Sequence, residues 1–143
     1  MPDPDGDESL ATWLMGLREW DAERAVASVP ATVPYGEHPD QVADLWLPPE
    51  DALPADGVPP LVVSIHGGYF MAPYRRDLHV PIVHELVLRG FAIWNIEYRR
   101  LGEPGSGWPG TYLDVGRAVD HVRAFAGEYH LDLGRAPIPG NRK

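Results

Sequence analysis

The residues best suited to chemistry in this chain are a histidine and two glycines. The stretch LVVSIHGGYF, residues 61–70, is an apolar run that ends in His66-Gly67-Gly68. Glycine has no Cβ, so it permits turns barred to other residues and lets a ligand approach the backbone closely. Consecutive glycines also leave N–H groups free to point at a negatively charged oxygen. The plain alternative is a tight turn from a strand into a helix, and spacing alone does not separate the two. Other candidates fail on spacing. HELVL, residues 84–88, begins like H-E-x-x-H, but Leu88 stands where the second histidine belongs. The glycines of LGEPGSGWPG, residues 101–110, lack the Lys-Ser/Thr that completes a phosphate loop. The six histidines are scattered and there is no cysteine, so no metal site, thiolate nucleophile or disulfide frame is expected, and no cofactor.

The elements that must position this loop follow from hydrophobic period. VADLWLP, residues 42–48, alternates apolar and polar residues and predicts a half-buried strand that stops at Pro48-Pro49. A loop rich in Pro, Asp and Ala runs over 48–60. LVVSI, residues 61–65, is nearly continuous in apolar residues, the pattern of a strand covered on both faces. Residues 76–89 place Val80, Val83, Leu86 and Val87 on one helical face, with Gly90 as the residue that ends the helix. FAIWNIEY, residues 91–98, predicts a second apolar strand. Residues 111–129 carry Leu113, Val115, Ala118, Val119, Val122 and Phe125 at helical spacing. Nearer the start, Leu10, Trp13, Leu14, Leu17 and Trp20 predict a helix extended by Ala25 and Val26, capped by Ser9 with Asp7 and Glu8 beside it. Two apolar strands joined through a helix make a βαβ unit, so the fold class is α/β, with a mainly parallel sheet flanked by helices. In such sheets chemistry sits at the carboxyl ends of the strands, which is where His66-Gly67-Gly68 is delivered.

Bulk properties set outer limits. A chain of 143 residues with 44% hydrophobic and 23% charged residues suits one globular domain. We divide it into an acidic lead-in at 1–8, a domain over 9–135 and a tail over 136–143. The formal net charge of -9 opposes phosphate backbones and anionic lipid, so neither nucleic acid nor membrane is an expected partner. MPDPDGDESL has no basic start and no apolar centre, unlike a signal peptide, and the lack of cysteine fits a reducing cytoplasm.

Beyond period and spacing, PLVVSIHGGYF, GFAIWNIEYRR and WPGTYLDVGRAVDHV together resemble the N-terminal half of an α/β-hydrolase. They look most like the esterase/lipase branch with an HGG-type oxyanion loop, which includes kynurenine-formamidase-like enzymes. VPYGEHPDQVADLWLP is similar to the first, antiparallel β-hairpin of that branch, and the resemblance covers residues 33–133. It implies a serine hydrolase acting on a small carboxylic ester or amide through an acyl-enzyme. Carried over, the oxyanion donors are the N–H groups of Gly68 and Tyr69, with Gly67 shaping the turn. His66 braces the loop and is not the base. Tyr98 and Arg99 hold the loop from beneath, and Asp114 caps or braces the last helix. Phe70 stands where the formamidase-like motif often has Trp. Phe70 and Trp108 are placed at the pocket, with packing as the other role for Trp108 and Pro109.

The resemblance also implies a serine in G-x-S-x-G after a fifth strand, and this sequence has none. Its four serines are Ser9, Ser28, Ser64 and Ser106. Ser9 and Ser28 fall at helix ends, and Ser64 is expected to be hydrogen-bonded in the core or to a helix. Ser106 has Gly105 and Gly107 beside it, but the pattern needs glycine at Pro104 and Trp108. Where the serine-bearing strand is expected, Pro137 and Pro139 oppose a central strand. The triad acid and histidine follow the serine in family order and are expected to be absent too. The expectation is therefore the front half of a hydrolase, inactive alone. The family strand order 1-2-4-3-5 then leaves 61–65 as an exposed edge, open to self-association or to a complementing chain. The other reading is a non-catalytic assembly module, or half of a split hydrolase, using that edge.

Overall fold

A four-stranded sheet carries everything that follows. The computed structural model describes residues 29–135. The expected lead-in over 1–8, the helix over 9–26 and the tail over 136–143 lie outside the described residues. In chain order the strands are β1 (Ala31–Pro34), β2 (Val42–Trp46), β3 (Leu61–Ile65) and β4 (Ala92–Ile96). The helices are α1 (Val80–Leu88) and α2 (Gly110–Phe125), with short 3-10 turns at Glu50–Ala52, Arg76–His79 and Leu133–Arg135.

The sheet order is β1-β2-β4-β3. β1 and β2 form an antiparallel hairpin, β2 pairs antiparallel with β4, and β3 pairs in parallel with β4 from Leu61 opposite Ala92 to Ile65 opposite Ile96. This is a mixed sheet, with one parallel pair among the three. Among the described residues, β3 has a strand neighbour on one side only.

Side-chain alternation splits the core between the two faces. Ala43, Leu45, Leu61, Ala92, Trp94 and Ile96 meet Ala118, Val122 and Ala126 of the α2 side. Trp46 and Ile93 meet Val83 and Val87 of α1. The buried Trp94 indole N–H finds the Ala118 carbonyl at 2.8 Å.

Three local expectations change. The strand at 42–48 is not half-buried, because helices cover both faces of the sheet there. Asp44, the polar residue within this strand, is buried and accepts from the Thr32 hydroxyl and the Arg76 Nε, both at 2.6 Å. The helix predicted over 76–89 opens as a 3-10 turn and becomes α-helical only at Val80, with Pro81 in its first turn, where no N–H is needed. In α2 the buried stripe is Thr111, Asp114, Ala118 and Val122, so Leu113 is turned out and is 51% exposed. The end of α1 is as expected. Gly90 has φ +93, and a Cβ there would lie 2.3 Å from the Ala52 carbonyl oxygen.

Candidate active site

β3 hands the chain to the loop over residues 66–75, and a steric conflict sets its first bend. Gly68 has φ +115, and a Cβ there would lie 2.4 Å from Tyr74 Cβ, so no side chain fits. Tyr69 and Phe70 follow at φ 54 and 59, and the Met71 N–H closes on the Gly68 carbonyl at 3.0 Å. Both central residues of this turn are left-handed, as in a type I′ turn. Two bulky residues in that region cost about 1–3 kcal/mol each, so the surroundings must impose the shape. The positive φ at the first bend belongs to Gly68. Gly67 has no positive φ, and a Cβ there would meet open space.

What imposes the shape is a set of hydrogen bonds to the loop's carbonyls. The Tyr98 hydroxyl donates to the His66 carbonyl at 2.7 Å. His66 Nδ1 lies 2.9 Å from the Gly67 carbonyl. The Leu101 N–H donates to Phe70 at 2.8 Å and the Tyr74 N–H to Met71 at 3.2 Å. The Arg100 guanidinium donates to the Ala72 carbonyl. Each of these bonds takes a carbonyl. The N–H groups of Gly68, Tyr69 and Phe70 have no hydrogen-bond partner among the described residues. Donors fixed in advance and left unbonded are what stabilises a developing oxyanion.

His66 is held from both sides of its ring. It is buried and stacks on Tyr98 with centroids 4.3 Å apart and planes 5° from parallel. Its Nε2 lies 2.7 Å from Glu97 Oε1. Both ring nitrogens thus have partners within 3.0 Å. Glu97 is fully buried, which would raise its pKa, but the His66 bond and the Arg76 N–H, at 3.0 Å from Oε2, outweigh burial and hold it below the usual carboxylate range. Burial, reinforced by the Glu97 charge, pushes the Tyr98 phenol up to about 12, so it stays a donor.

Two buried carboxylates, Asp114 and Asp40, and the three arginines paired with them fix the approach to α2 and the hairpin. Asp114 is fully buried and takes Arg99 in a fork, Nε to Oδ2 and Nη2 to Oδ1, both at 2.8 Å. It also accepts the Arg99 N–H at 3.0 Å and Gln41 Nε2 at 2.8 Å. Burial pushes Asp114 up, yet these donors hold its pKa down. It makes no capping bond at the start of α2. Asp40, in the hairpin loop, accepts from Arg100 Nη2 and Arg75 Nη2, both at 2.8 Å. Burial raises its pKa, but the Glu103 hydrogen bond and the two arginines win and bring it to about 2, while Glu103 is pushed up by burial and by Asp40.

The aromatic residues form a path outward. Phe70 meets Tyr98 edge-on at 5.9 Å and Tyr112 at 5.5 Å, and Tyr112 meets Trp108 at 5.1 Å. Trp108 is 82% exposed, and Tyr112 is its ring neighbour. Ser64 makes the helix-side contact expected of it, with Oγ 2.8 Å from His79 Nδ1. Burial, helped by the charge of His66, keeps the His79 pKa low. A serine beside a neutral histidine has the form of a nucleophile and base. Here, however, the serine sits in the body of β3, four residues before Gly68, which is up to ~13 Å of extended chain. The free amides are therefore poorly placed for an oxyanion formed at Ser64.

The sequence reading missed Glu97, Arg100, Asp40 and Gln41. Glu97 had a usable signal, since an acid closing an otherwise apolar strand must find partners. The others pair across 28 to 73 residues, and nothing local announces that.

Comparison with known proteins bears on this arrangement. The model of the BD-FAE family matches residues 43–141. The probable carboxylic ester hydrolase LipM of Mycobacterium tuberculosis is 31% identical over 109 residues, covering 76% of this chain and 24% of its own. The kynurenine formamidase of Salmo salar is 29% identical over 86 residues, covering 57% of this chain and 28% of its own. Among solved structures, a bacterial heroin esterase superposes with a TM-score of 0.65 at 28% identity, over 92% of this chain and 41% of that one. Esterase B from Lactobacillus rhamnosis gives 0.70 at 23% identity, over 88% and 40%, a likeness of fold. The chain thus spans between 24% and 28% of the length of the curated relatives it matches.

Proposed function

The chain belongs to the BD-FAE family and has a partial α/β-hydrolase fold, and from that premise we propose that it supplies the oxyanion loop of a serine hydrolase. The substrate class is a small carboxylic ester or amide, and the intact reaction passes through an acyl-enzyme. Gly68 and Tyr69 donate N–H groups to the tetrahedral oxyanion. His66, Tyr98, Arg99 and Asp114 hold the loop and its supports, and Phe70 and Trp108 border the pocket. The carrying observation is the division of labour in the loop, with its carbonyls bound and its amides at 68–70 left without partners.

The 143 residues contain no serine in G-x-S-x-G, so this chain alone should not form an acyl-enzyme. A fluorophosphonate probe should leave every serine unlabelled, and a short-chain nitrophenyl ester should be hydrolysed no faster than in buffer. Stoichiometric labelling of any one serine would overturn the reading. A cytoplasmic setting belongs to the same proposal, consistent with a chain free of cysteine.

A second reading is favoured by the position of β3, which among the described residues pairs with β4 on one side only. Here 61–65 is where this chain meets another polypeptide, either a second copy or a complementing chain.

A further inference from the structure

We infer that Glu97 is a positioning residue for the oxyanion loop: through a doubly protonated His66 it polarises the peptide between Gly67 and Gly68 and makes the Gly68 N–H the stronger of the two donors. This rests on the reading of 66–75 as an oxyanion loop and assigns its amides unequal parts.

Donors surround the Glu97 carboxylate, which lies just past the end of β4 and is fully buried. Oε1 lies 2.7 Å from His66 Nε2 and accepts the Tyr98 N–H at 3.3 Å. Oε2 accepts the Arg76 N–H at 3.0 Å, with Arg76 Nη1 at 3.5 Å and Arg75 Nε at 3.6 Å. Arg100 Nε stands 4.0 Å from Oε1. A carboxyl group met by three guanidinium groups and two backbone N–H groups keeps its negative charge, and an ionised carboxylate can only accept. His66 Nε2 therefore carries a proton.

The other ring nitrogen reaches the same answer. Nδ1 lies 2.9 Å from the Gly67 carbonyl oxygen, which also can only accept. The Tyr98 hydroxyl, 3.4 Å from Nδ1, offers it no proton, because its own goes to the His66 carbonyl at 2.7 Å. Nδ1 is an N–H as well, and two ring N–H groups make an imidazolium. The remaining titratable neighbours do not compete for these protons. Burial, helped by the charge of His66, keeps the His79 pKa low, and burial pushes the Tyr98 phenol up to about 12.

The charge acts through one peptide. The Gly67 carbonyl and the Gly68 N–H are its two ends, and resonance joins them. A cationic donor on the oxygen draws electron density across the C–N bond and leaves the N–H more positive. A charged donor bonds roughly twice as strongly as a neutral one, and linked hydrogen bonds strengthen one another by about 10–30% each. The Tyr69 N–H belongs to the next peptide, whose Gly68 carbonyl accepts the neutral Met71 N–H at 3.0 Å. The Gly68 donor is thus backed by an ion and the Tyr69 donor by an amide.

The test is NMR of the isotope-labelled 143-residue chain at neutral pH. Both ring nitrogens of His66 should appear protonated. One bare ring nitrogen would overturn the relay. In Glu97→Gln the carboxamide can donate to Nε2, so the Nδ1 proton stays on Gly67 while the charge is lost. The Gly67 carbonyl-carbon and Gly68 amide-proton signals should then move upfield, and the Tyr69 amide signal should move less. Equal movement at 68 and 69, or none at either, would overturn the inference. Should circular dichroism show Glu97→Gln unfolded, the unaltered chain serves. Raising the pH until His66 gives up its second ring proton should move the Gly68 signals in step, and Gly68 signals that stay in place would overturn the inference. Failure of the oxyanion reading is distinguishable. Hydrogen-exchange protection of Gly68 and Tyr69 would sink that reading whatever the state of His66, whereas a bare ring nitrogen would sink the relay alone.

Discussion

β3 and β4 are five-residue apolar strands lying side by side in register, and they live in different circumstances. β4 is buried from end to end, while β3 runs from a buried Leu61 to an Ile65 that is 46% exposed. Their exits differ as well. The residues leaving β4 are Glu97, Tyr98, Arg99, Arg100 and Leu101, and they reach out with side chains and amides. Those leaving β3 are mainly reached for, at their carbonyls. The difference teaches where rigidity originates. A central strand with partners on both edges can anchor a polar network. The strand beside it can then present a strained turn whose N–H groups remain available.

The comparison breaks most severely at Asp114. Asp114→Ala would leave the Arg99 fork, the Arg99 N–H and Gln41 without their acceptor. Removing one partner of such a buried pair costs about 3–5 kcal/mol, to be read in a urea melt. A loss below about 1 kcal/mol would mean that the fork is solvated and anchors little. Next comes a matched pair of truncations in register partners, Ile96 and Ile65. Ile96→Ala should cost about 2–5 kcal/mol, whereas Ile65→Ala should cost roughly half of that or less because its methylenes already meet water. Equal costs would show that β3 is covered in solution.

The glycines sharpen the comparison at the loop. Gly68→Ala places a Cβ against Tyr74 at φ +115, and should cost about 1–3 kcal/mol. Gly67→Ala meets open space and should leave the melt unchanged within about 0.5 kcal/mol. The reverse order would mean that the bend lies one residue earlier.

Acid should act last and most gradually. Asp40, Asp114 and Glu97 all have pKa values below those of an unfolded chain, Asp40 at about 2. A depressed carboxylate binds protons more weakly folded than unfolded. Its stabilisation is therefore complete above the ordinary carboxylate range and is lost as pH falls through the folded value. The thermal midpoint should hold steady down to about pH 5 and fall progressively toward pH ~2. A midpoint that rises on acidification would contradict the pairings.

Much of the fold was legible because apolar runs such as 61–65 and 92–96 admit few alternatives, and Gly90 ends its helix for a visible steric reason. The misreadings share a cause. The strand at 42–48 looked half-buried because alternation cannot show that Thr32 and Arg76 will meet Asp44. Leu113 looked buried because Thr111 and Asp114, polar by type, occupy the inward stripe of α2. In the candidate site the His66-Gly67-Gly68 loop was visible, but which glycine bends was not, since that depends on Tyr74. The network through Glu97, Arg100 and Asp40 was not visible either, because it exists only once distant segments pack.

The most direct test is amide hydrogen exchange of the loop, resolved by NMR. The N–H groups of Gly68 and Tyr69 should exchange close to the rates of an unstructured chain, while those of Met71, Tyr74 and Leu101, which are bonded to carbonyls, are protected. Protection of Gly68 and Tyr69 equal to that of Met71 would show those donors already bound, and would contradict the account.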